Sequence, residues 1–231
     1  MIVTIDGPAG AGKSSVARLL ARRLGFDFLD TGAMYRGVTW WALQHGWPLQ
    51  DAQQLARNAA ELSMELRGDR LWINGRDVSD ELRTPAVTEA IHYIADNPQI
   101  RAQLVALQRK WAAGKNIVTE GRDQGTVAFP DAECKIFLTA STAERARRRH
   151  RELAERGIHL DLATVTQELM VRDSQDTQRP VGKLQPADDA LIVVTDGMSL
   201  EEVVDHLEHL VCSCRERVRK SDLAAEEQVD E

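Results

Sequence analysis

Gly7-Pro8-Ala9-Gly10-Ala11-Gly12-Lys13-Ser14 is the stretch of sequence that decides the fold. It fits the pattern G-x-x-x-x-G-K-[ST], in which backbone N–H groups cradle phosphate oxygens, the lysine reaches the β- and γ-phosphates and the hydroxyl ligates Mg²⁺. A β-branched run at residues 2–5 precedes this loop, and a helical pattern follows it. Because a helix N-terminus stabilises anions, we predict a P-loop that binds a nucleoside triphosphate through residues 7–14 and Ser15. Lys13 is the candidate catalytic residue and Ser14 the candidate Mg²⁺ ligand.

Short apolar strands alternate with helical patterns along most of the chain. The predicted core strands are residues 2–5, 26–29, 116–120, 134–138 and 190–194. Strands that alternate with helices favour a parallel sheet covered by helices on both faces. We therefore predict an α/β fold of three layers around a five-stranded parallel sheet.

A different pattern interrupts this alternation after the second core strand. Leu62, Met64 and Leu66 alternate with polar residues, and Asn74-Gly75 is a strong turn signal. We expect a small antiparallel β unit here. It is either a decorative hairpin or a subdomain inserted beside a substrate site, and its place between core strands favours the second interpretation.

Composition excludes several classes of protein. The net charge is −7, and residues 221–231 carry five acidic and no basic residues. The rest of the chain is thus close to neutral, without the basic surface of a nucleic-acid-binding domain. Three cysteines do not form a disulfide framework, and no apolar run is long enough to span a membrane. With no signal-peptide pattern at the N-terminus, we expect a reduced, cytoplasmic protein.

Four arginines lie at predicted loops or helix starts, namely Arg36, Arg122, Arg172 and Arg179. Two bound polyanions repel each other, so a site that joins them needs several cations, and a guanidinium binds phosphate bidentately. This placement favours phosphoryl transfer between two nucleotides, although each arginine taken alone could be an ordinary surface residue. A helical segment at residues 141–156 carries six more arginines, and we interpret much of that run as a solvated face.

Other classes of P-loop protein fit less well. The base-reading motif Asn-Lys-x-Asp of GTPases is absent from the sequence. The third core strand ends in Glu120-Gly121-Arg122-Asp123 rather than in the metal-binding aspartate that is usual in motor and transporter ATPases. Glu120 and Asp123 could still organise a metal ion or a substrate.

Several ordered motifs resemble those of the bacterial cytidylate kinases over residues 1–210. They are Thr4-Ile5-Asp6-Gly7-Pro8-Ala9-Gly10-Ala11-Gly12-Lys13, Leu29-Asp30-Thr31-Gly32-Ala33-Met34-Tyr35-Arg36, Asp77-Val78-Ser79 with Leu82-Arg83-Thr84, Gly121-Arg122-Asp123-Gln124-Gly125-Thr126-Val127 with Phe129-Pro130-Asp131-Ala132, and Arg172-Asp173-Ser174-Gln175-Asp176 with Arg179. The acidic segment at 221–231 lies outside the resemblance.

The resemblance implies a single P-loop kinase domain at residues 1–220. Its parts would be a core (1–61, 102–154 and 184–220), an insertion that binds a nucleoside monophosphate (62–101) and a helical lid (155–183). Residues 221–231 would form a flexible acidic tail.

The same resemblance implies an activity and roles for the site residues. The family transfers the γ-phosphoryl group of ATP, with Mg²⁺, to CMP or dCMP. Arg36, Arg122 and Arg179 would hold the acceptor phosphate. Asp176, with Arg172 nearby, would hold the ribose, and Arg101 and Asp123 would read the base. Thr31 retains a hydroxyl where the family often has serine, and Arg172 and Arg179 join Lys13 as candidate catalytic residues.

Two alternatives to this activity stay open from the sequence. One is a kinase for another small acceptor, such as UMP or AMP, and the other is a P-loop switch that is not an enzyme. The expected partners are the small molecules CMP and dCMP rather than nucleic acid or a membrane. We expect a monomer that acts in pyrimidine nucleotide metabolism.

Overall fold

The computed structural model describes residues 1–155 and 157–227. The chain divides into two compact units, Met1–Asp27 with Lys115–Glu231, and Phe28–Gly114. No helix among the described residues combines the length and the apolar character needed to cross a membrane.

The strands and helices follow the alternation that the sequence predicts. In chain order the strands are β1 (Ile2–Asp6), β2 (Asp27–Asp30), β3 (Met64–Arg67), β4 (Arg70–Ile73), β5 (Arg76–Asp77), β6 (Ile117–Gly121), β7 (Cys134–Thr139) and β8 (Leu191–Val194). The helices are α1 (Lys13–Leu24), α2 (Thr31–Gln44), α3 (Ala52–Ala60), α4 (Pro85–Ala95), α5 (Pro98–Ala112), α6 (Thr142–Glu155), α7 (Leu162–Gln178) and α8 (Leu200–Glu227). A π-helical turn, Gln124–Ala128, follows β6.

A five-stranded sheet has the order β2-β6-β1-β7-β8. β1 lies in its centre and pairs in parallel with β6 and β7, so that Val3 stands opposite both Val118 and Cys134. β7 in turn pairs in parallel with β8. The predicted α/β fold with a five-stranded parallel sheet is confirmed. Because parallel strands end at the same edge of a sheet, the loops after β1 and β6 lie side by side.

α1 holds the P-loop to the rest of the first unit. Val16, Ala17 and Leu20 face the core, and Gly25 ends the helix in the left-handed conformation, with a φ of 67°. α1 also packs against α8, where Arg23 pairs with Glu201, Asp205 and Glu208. The helix that carries Lys13 and Ser14 is therefore fixed at its far end as well as at the loop.

The second unit contains α2 to α5 and a three-stranded antiparallel sheet of order β3-β4-β5. This sheet is the small β unit that the alternation after Leu62 predicts. Gly37 on α2 lies so close to it that a β-carbon there would come within 2.6 Å of a methyl carbon of Leu71. The unit also includes residues 28–61 and 102–114, because α2 packs on α4 and α3 packs on α5. The functional boundaries of core, insertion and lid stay predictions.

The sequence pattern predicts one helix over residues 162–170 and another from residue 200 to about 219, and both helices extend further in the structure. α7 continues through the polar residues after Met170 and ends at Gln178, because Arg179 precedes Pro180 and a residue before proline is disfavoured in a helix. α8 continues past Arg219 to Glu227 and so overlaps the predicted acidic tail. Residues 228–231 of that tail lie outside the described residues.

Candidate active site

The P-loop packs tightly against its neighbours in the first unit. Gly7 has a φ of 152°, and a β-carbon there would lie 2.0 Å from the carbonyl oxygen of Leu138 on β7. Gly10 has a φ of 75°, and its β-carbon would lie 3.2 Å from the β-carbon of Arg145 on α6. A side chain at residue 7 would have to displace β7, whereas one at residue 10 would be a tight contact that requires α6 to give by a few tenths of an ångström. These glycines therefore let the loop pass close to both elements.

Lys13 is buried at the first position of α1, with only 5% of its surface exposed. Its Nζ donates a hydrogen bond to the carbonyl oxygen of Pro8 at 2.8 Å. Burial lowers the pKa of Lys13 to about 7, the charge of Arg122 acts in the same direction, and Glu120 opposes the shift. A carbonyl dipole compensates a buried ammonium only partly, so an anion beside Nζ would favour the charged form strongly.

Ser14 and Glu120 present oxygen atoms beside Lys13. The Ser14 hydroxyl donates to the Glu120 carboxylate at 2.8 Å. Among the described residues no cluster of three or more histidine, cysteine or acidic side chains could hold a metal ion alone. Mg²⁺ at nucleotide sites usually takes one or two protein oxygens and completes its shell with water and phosphate. This donor set therefore fits Mg²⁺ bound together with a nucleotide.

Asp176 on α7 joins two arginines that the sequence places far apart. Its carboxylate accepts a hydrogen bond from Arg122 Nε at 2.7 Å and another from Arg179 Nη2 at 2.6 Å. Burial alone would raise the pKa of the Asp176 carboxyl, but the neighbouring guanidinium groups, first that of Arg122, hold it below its usual range. The charge of Arg172 acts on both Asp176 and Lys13. The structure thus brings Lys13, Arg122, Arg172, Asp176 and Arg179 into one charged site.

Asp6, the last residue of β1, holds the loop that follows β6. Its two carboxylate oxygens accept the backbone N–H groups of Gln124 at 2.9 Å and Gly125 at 2.8 Å. Burial raises the pKa of Asp6 to about 6, although these two hydrogen bonds oppose the shift. The contact positions the π-helical turn directly after Asp123, which is itself only 4% exposed. Asp123 is therefore a buried carboxylate at the same sheet edge as the P-loop.

The remaining predicted site residues belong to the second unit. Thr31 is buried in the first turn of α2, which Asp30 caps by accepting the N–H of Ala33 at 2.9 Å. Arg36 is half-buried on the same helix. Arg101 on α5 is buried, and its Nη1 donates to the carbonyl oxygen of Ala95 at 3.0 Å. Its Cζ lies 5.3 Å from the centroid of the Tyr35 ring. The structure therefore places Arg101 beside the residue that precedes Arg36.

Sequence reasoning missed two residues of α6 that contact the P-loop. Arg145 donates to the carbonyl oxygen of Ala9 at 2.9 Å, and Arg148 donates to that of Ala11 at 3.5 Å. Both belong to the arginine run that we interpreted mainly as solvated, and that interpretation is wrong for Arg145, which is buried. Their spacing of three residues on one helix face was the only signal in the sequence.

Comparison with known proteins identifies the family. A model of the cytidylate kinases matches residues 3–213. A cytidylate kinase from Rhodopirellula baltica is 53% identical over 214 residues, which span 93% of this chain and 93% of that protein. A cytidylate kinase from Pelotomaculum thermopropionicum is 51% identical over 207 residues, or 87% of this chain and 92% of that protein.

Among solved structures, an uncharacterized protein from Eubacterium ventriosum ATCC 27560 superposes with a TM-score of 0.52 at 13% identity, covering 92% of this chain and 98% of that one. At that identity the likeness concerns the fold alone. The family resemblance expected from the motifs is confirmed by the family model and by relatives that match along most of their length. This chain belongs to the cytidylate kinase family.

Proposed function

We propose that this chain transfers the γ-phosphoryl group of ATP to CMP, and also to dCMP, giving ADP and CDP or dCDP. One observation carries the proposal beyond family membership: a lysine on a P-loop shares a buried charged site with three arginines gathered around one carboxylate. Such a group of cations suits the joining of two polyanionic substrates. The family assignment does not favour the alternatives, a UMP or AMP kinase and a P-loop switch.

The donor half of the reaction is assigned to the P-loop. Residues 7–15 would bind the triphosphate of ATP through backbone N–H groups, and Lys13 would stay with the γ-phosphoryl group as it moves. Ser14, with Glu120 beside it, would hold Mg²⁺, which neutralises charge on the β- and γ-phosphates when it is bound. The pKa of Lys13 supports this role, because phosphate oxygens would return the buried amine to its charged form.

The acceptor half is assigned mainly to the arginines. Arg122 and Arg179 would bind the CMP phosphate, and Asp176 orients both guanidinium groups through its two oxygens. Arg36 is proposed for the same phosphate. Asp176, with Arg172, is also proposed to hold the ribose.

Positioning and charge stabilisation supply the catalysis in this proposal. The attacking atom is an oxygen of the CMP phosphate, which is already anionic, so no general base is required. Arg172 and Arg179 would stabilise charge on the transferring group, as cations do in phosphoryl transfer. The lid helix would also exclude water, which would otherwise accept the phosphoryl group.

The choice of base is assigned to Asp123 and Arg101. Cytosine carries an N4 amine that a carboxylate can accept from, whereas uracil presents an oxygen there. An unpaired buried acceptor costs about 1–3 kcal/mol, which corresponds to roughly 5- to 150-fold discrimination. The burial of Asp123 supports this role, because water cannot easily compensate a mismatched contact there.

A panel of monophosphates tests the function. ADP formation from ATP is measured with CMP, dCMP, UMP and AMP, for the wild-type chain and for Asp123→Asn. We expect the wild type to prefer CMP and dCMP, and Asp123→Asn to lower the ratio of kcat/KM for CMP to that for UMP by about tenfold. Exposed Asp131→Asn, on the loop before β7, is the matched control. Equal turnover of CMP and UMP by the wild type would contradict the proposed acceptor.

We also propose that the enzyme acts in the cytoplasm as a monomer, in pyrimidine nucleotide metabolism, with small molecules as its partners. Light scattering of the purified chain, with and without CMP and ATP, measures the oligomeric state. A stable dimer under either condition would overturn the monomer assignment.

A further inference from the structure

Arg145 is a buried arginine that the proposed reaction does not use. It lies on α6, only 5% of its surface is exposed, and a guanidinium group keeps its charge in a protein. Its Nη1 donates to the carbonyl oxygen of Ala9 at 2.9 Å and to Asp173 Oδ2 at 2.6 Å, and its Nε donates to the carbonyl oxygen of Ala140 at 3.1 Å. The side chain therefore joins the P-loop, the end of β7 and the lid helix α7.

Asp173 closes the same network from the other side. Its Oδ1 accepts the backbone N–H of Ala9 at 3.3 Å, while its Oδ2 binds Arg145. The N–H and the C=O of Ala9 are thus held by the two members of one ion pair. A shift of α7 would break the contacts of Asp173 to the Ala9 N–H and to Arg145 together, and so release Arg145 from its partner carboxylate.

Apolar packing supports the same arrangement independently. Ala9 belongs to a buried cluster with residues of α6 and α7, namely Ala146, Leu153, Val165 and Leu169. The close approach of Gly10 to the β-carbon of Arg145 fixes the loop against α6 as well. The ion pair of Arg145 and Asp173, whose side chains are 7% and 21% exposed, therefore lies beside a buried apolar contact, where charges are screened less than on the open surface.

Asp173 stands directly after Arg172 on α7 and three residues before Asp176. A helix is rigid over one turn, so the position of Asp173 determines where its neighbours lie. We propose that Arg145 and Asp173 are positioning residues, an ion pair that holds the lid helix on the P-loop and so places Arg172 for phosphoryl transfer. The inference rests on the proposed function, since it gives a positioning role in that reaction to two residues that the proposal assigns to neither substrate.

The other ion pairs of α6 provide matched controls. Arg147 pairs with Glu144 at 2.8 Å on the same helix, but its side chain is 56% exposed. Removing Arg147 breaks one ion pair of α6, as removing the Asp173 carboxylate does, but without touching the P-loop. Arg147→Ala should therefore behave as the wild type.

The test compares Asp173→Asn, Asp173→Glu and Arg147→Ala with the wild type. Steady-state kinetics give kcat and the KM values for ATP and CMP, and a parallel assay gives ATP hydrolysis without CMP. We expect Asp173→Asn to lower kcat by about tenfold or more, because a charged hydrogen bond is lost, while the KM for ATP changes less than about twofold. ATP hydrolysis should rise relative to CMP phosphorylation, because a loosened lid admits water. Asp173→Glu, which keeps the carboxylate, should recover part of the loss.

Hydrogen exchange measures the contact itself without any acceptor. Asp173→Asn should speed exchange in the P-loop and in α7, whereas Arg147→Ala should not. The proposal is overturned if Asp173→Asn keeps the wild-type kcat and hydrolysis ratio in an enzyme active on CMP, or if exchange in the P-loop is unchanged. A wild type that does not phosphorylate CMP refutes the proposed function instead, and the exchange result still decides on the ion pair.

Discussion

At the P-loop, Lys13 and Asp6 are buried among main-chain dipoles, whereas on α7 Asp176 is buried between two guanidinium groups. Lys13 donates to a carbonyl oxygen and Asp6 accepts from two peptide N–H groups. Asp176 is bound by Arg122 and Arg179 instead. The pKa values move accordingly, towards neutral side chains at the P-loop and towards charged ones at α7.

The difference shows which buried charges of this fold lack a full counter-charge. Fixed dipoles compensate a buried charge only in part, so the P-loop region gains when a ligand of opposite charge arrives. The Asp176 carboxylate is already paired with two guanidinium groups, and we propose that it keeps these two arginines oriented. Three changes to the chain test this contrast.

The largest effect is expected when the buried ammonium of the P-loop is removed. Lys13→Ala should lower kcat/KM by about 100-fold or more, because a preorganised cation on the transferring group is lost. The melting temperature should hardly fall, since burying this amine opposes folding. Lys115→Ala, which removes an exposed lysine 3.2 Å from Asp27, is the control. A Lys13→Ala enzyme close to the wild-type rate would refute the role of Lys13.

A second effect is expected in the pH dependence of stability. Burial raises the pKa of Asp6 from 3.8 to about 6. Between these two pH values the Asp6 carboxyl is protonated in the folded state and ionised in the unfolded state. Stability from Asp6 is present below pH 3.8 and is lost as pH rises through 6, by at most about 3 kcal/mol. Urea unfolding at pH 4 and pH 7 measures it, as the difference between the wild type and Asp6→Asn. Identical pH profiles for the two proteins would show that Asp6 titrates normally.

The smallest of the three effects is expected at Asp176. Asp176→Asn keeps the shape but removes the charge between Arg122 and Arg179, which should lower the free energy of unfolding by about 2 kcal/mol. Because the wild-type pKa is lowered, the loss should be the same at pH 6 and pH 8. Glu65→Gln, which breaks an exposed ion pair with Arg67, should change stability much less. An effect no larger than this control would remove the contrast between the two regions.

The elements that could be predicted from the sequence are those whose structure is determined by residues close to one another in the chain. The strand before the P-loop, the loop itself and α1 follow from β-branched residues, glycines and a helical period within residues 2–24. The helix end at Gln178 could have been inferred from Pro180, but residues 171–178 lack an apolar period. Ion pairs stabilise that segment instead, and one of their partners, Arg122, lies 54 residues away.

Long-range contacts explain what could not be predicted at the site. The π-helical turn after Asp123 depends on the carboxylate of Asp6, 118 residues earlier. The buried role of Arg145 depends on a carbonyl oxygen 136 residues away, so its sequence neighbourhood, rich in arginine, suggests only a solvated helix. The motif that contains Arg122 and Asp123 identifies both as candidate site residues, but it reveals none of the long-range contacts that position them.

The close approach of Gly7 to the main chain of β7 limits which residues evolution can place at this position. A side chain at position 7 meets the main chain of Leu138, which no single substitution elsewhere can move aside. At position 12, by contrast, a β-carbon meets no described atom within 4 Å, and within the fold only a φ of 87° opposes a side chain. Residue 12 is therefore constrained by its backbone angle and by its proposed place in the phosphate-binding loop rather than by packing. Residue 7 must remain glycine for as long as β7 keeps its place in the sheet.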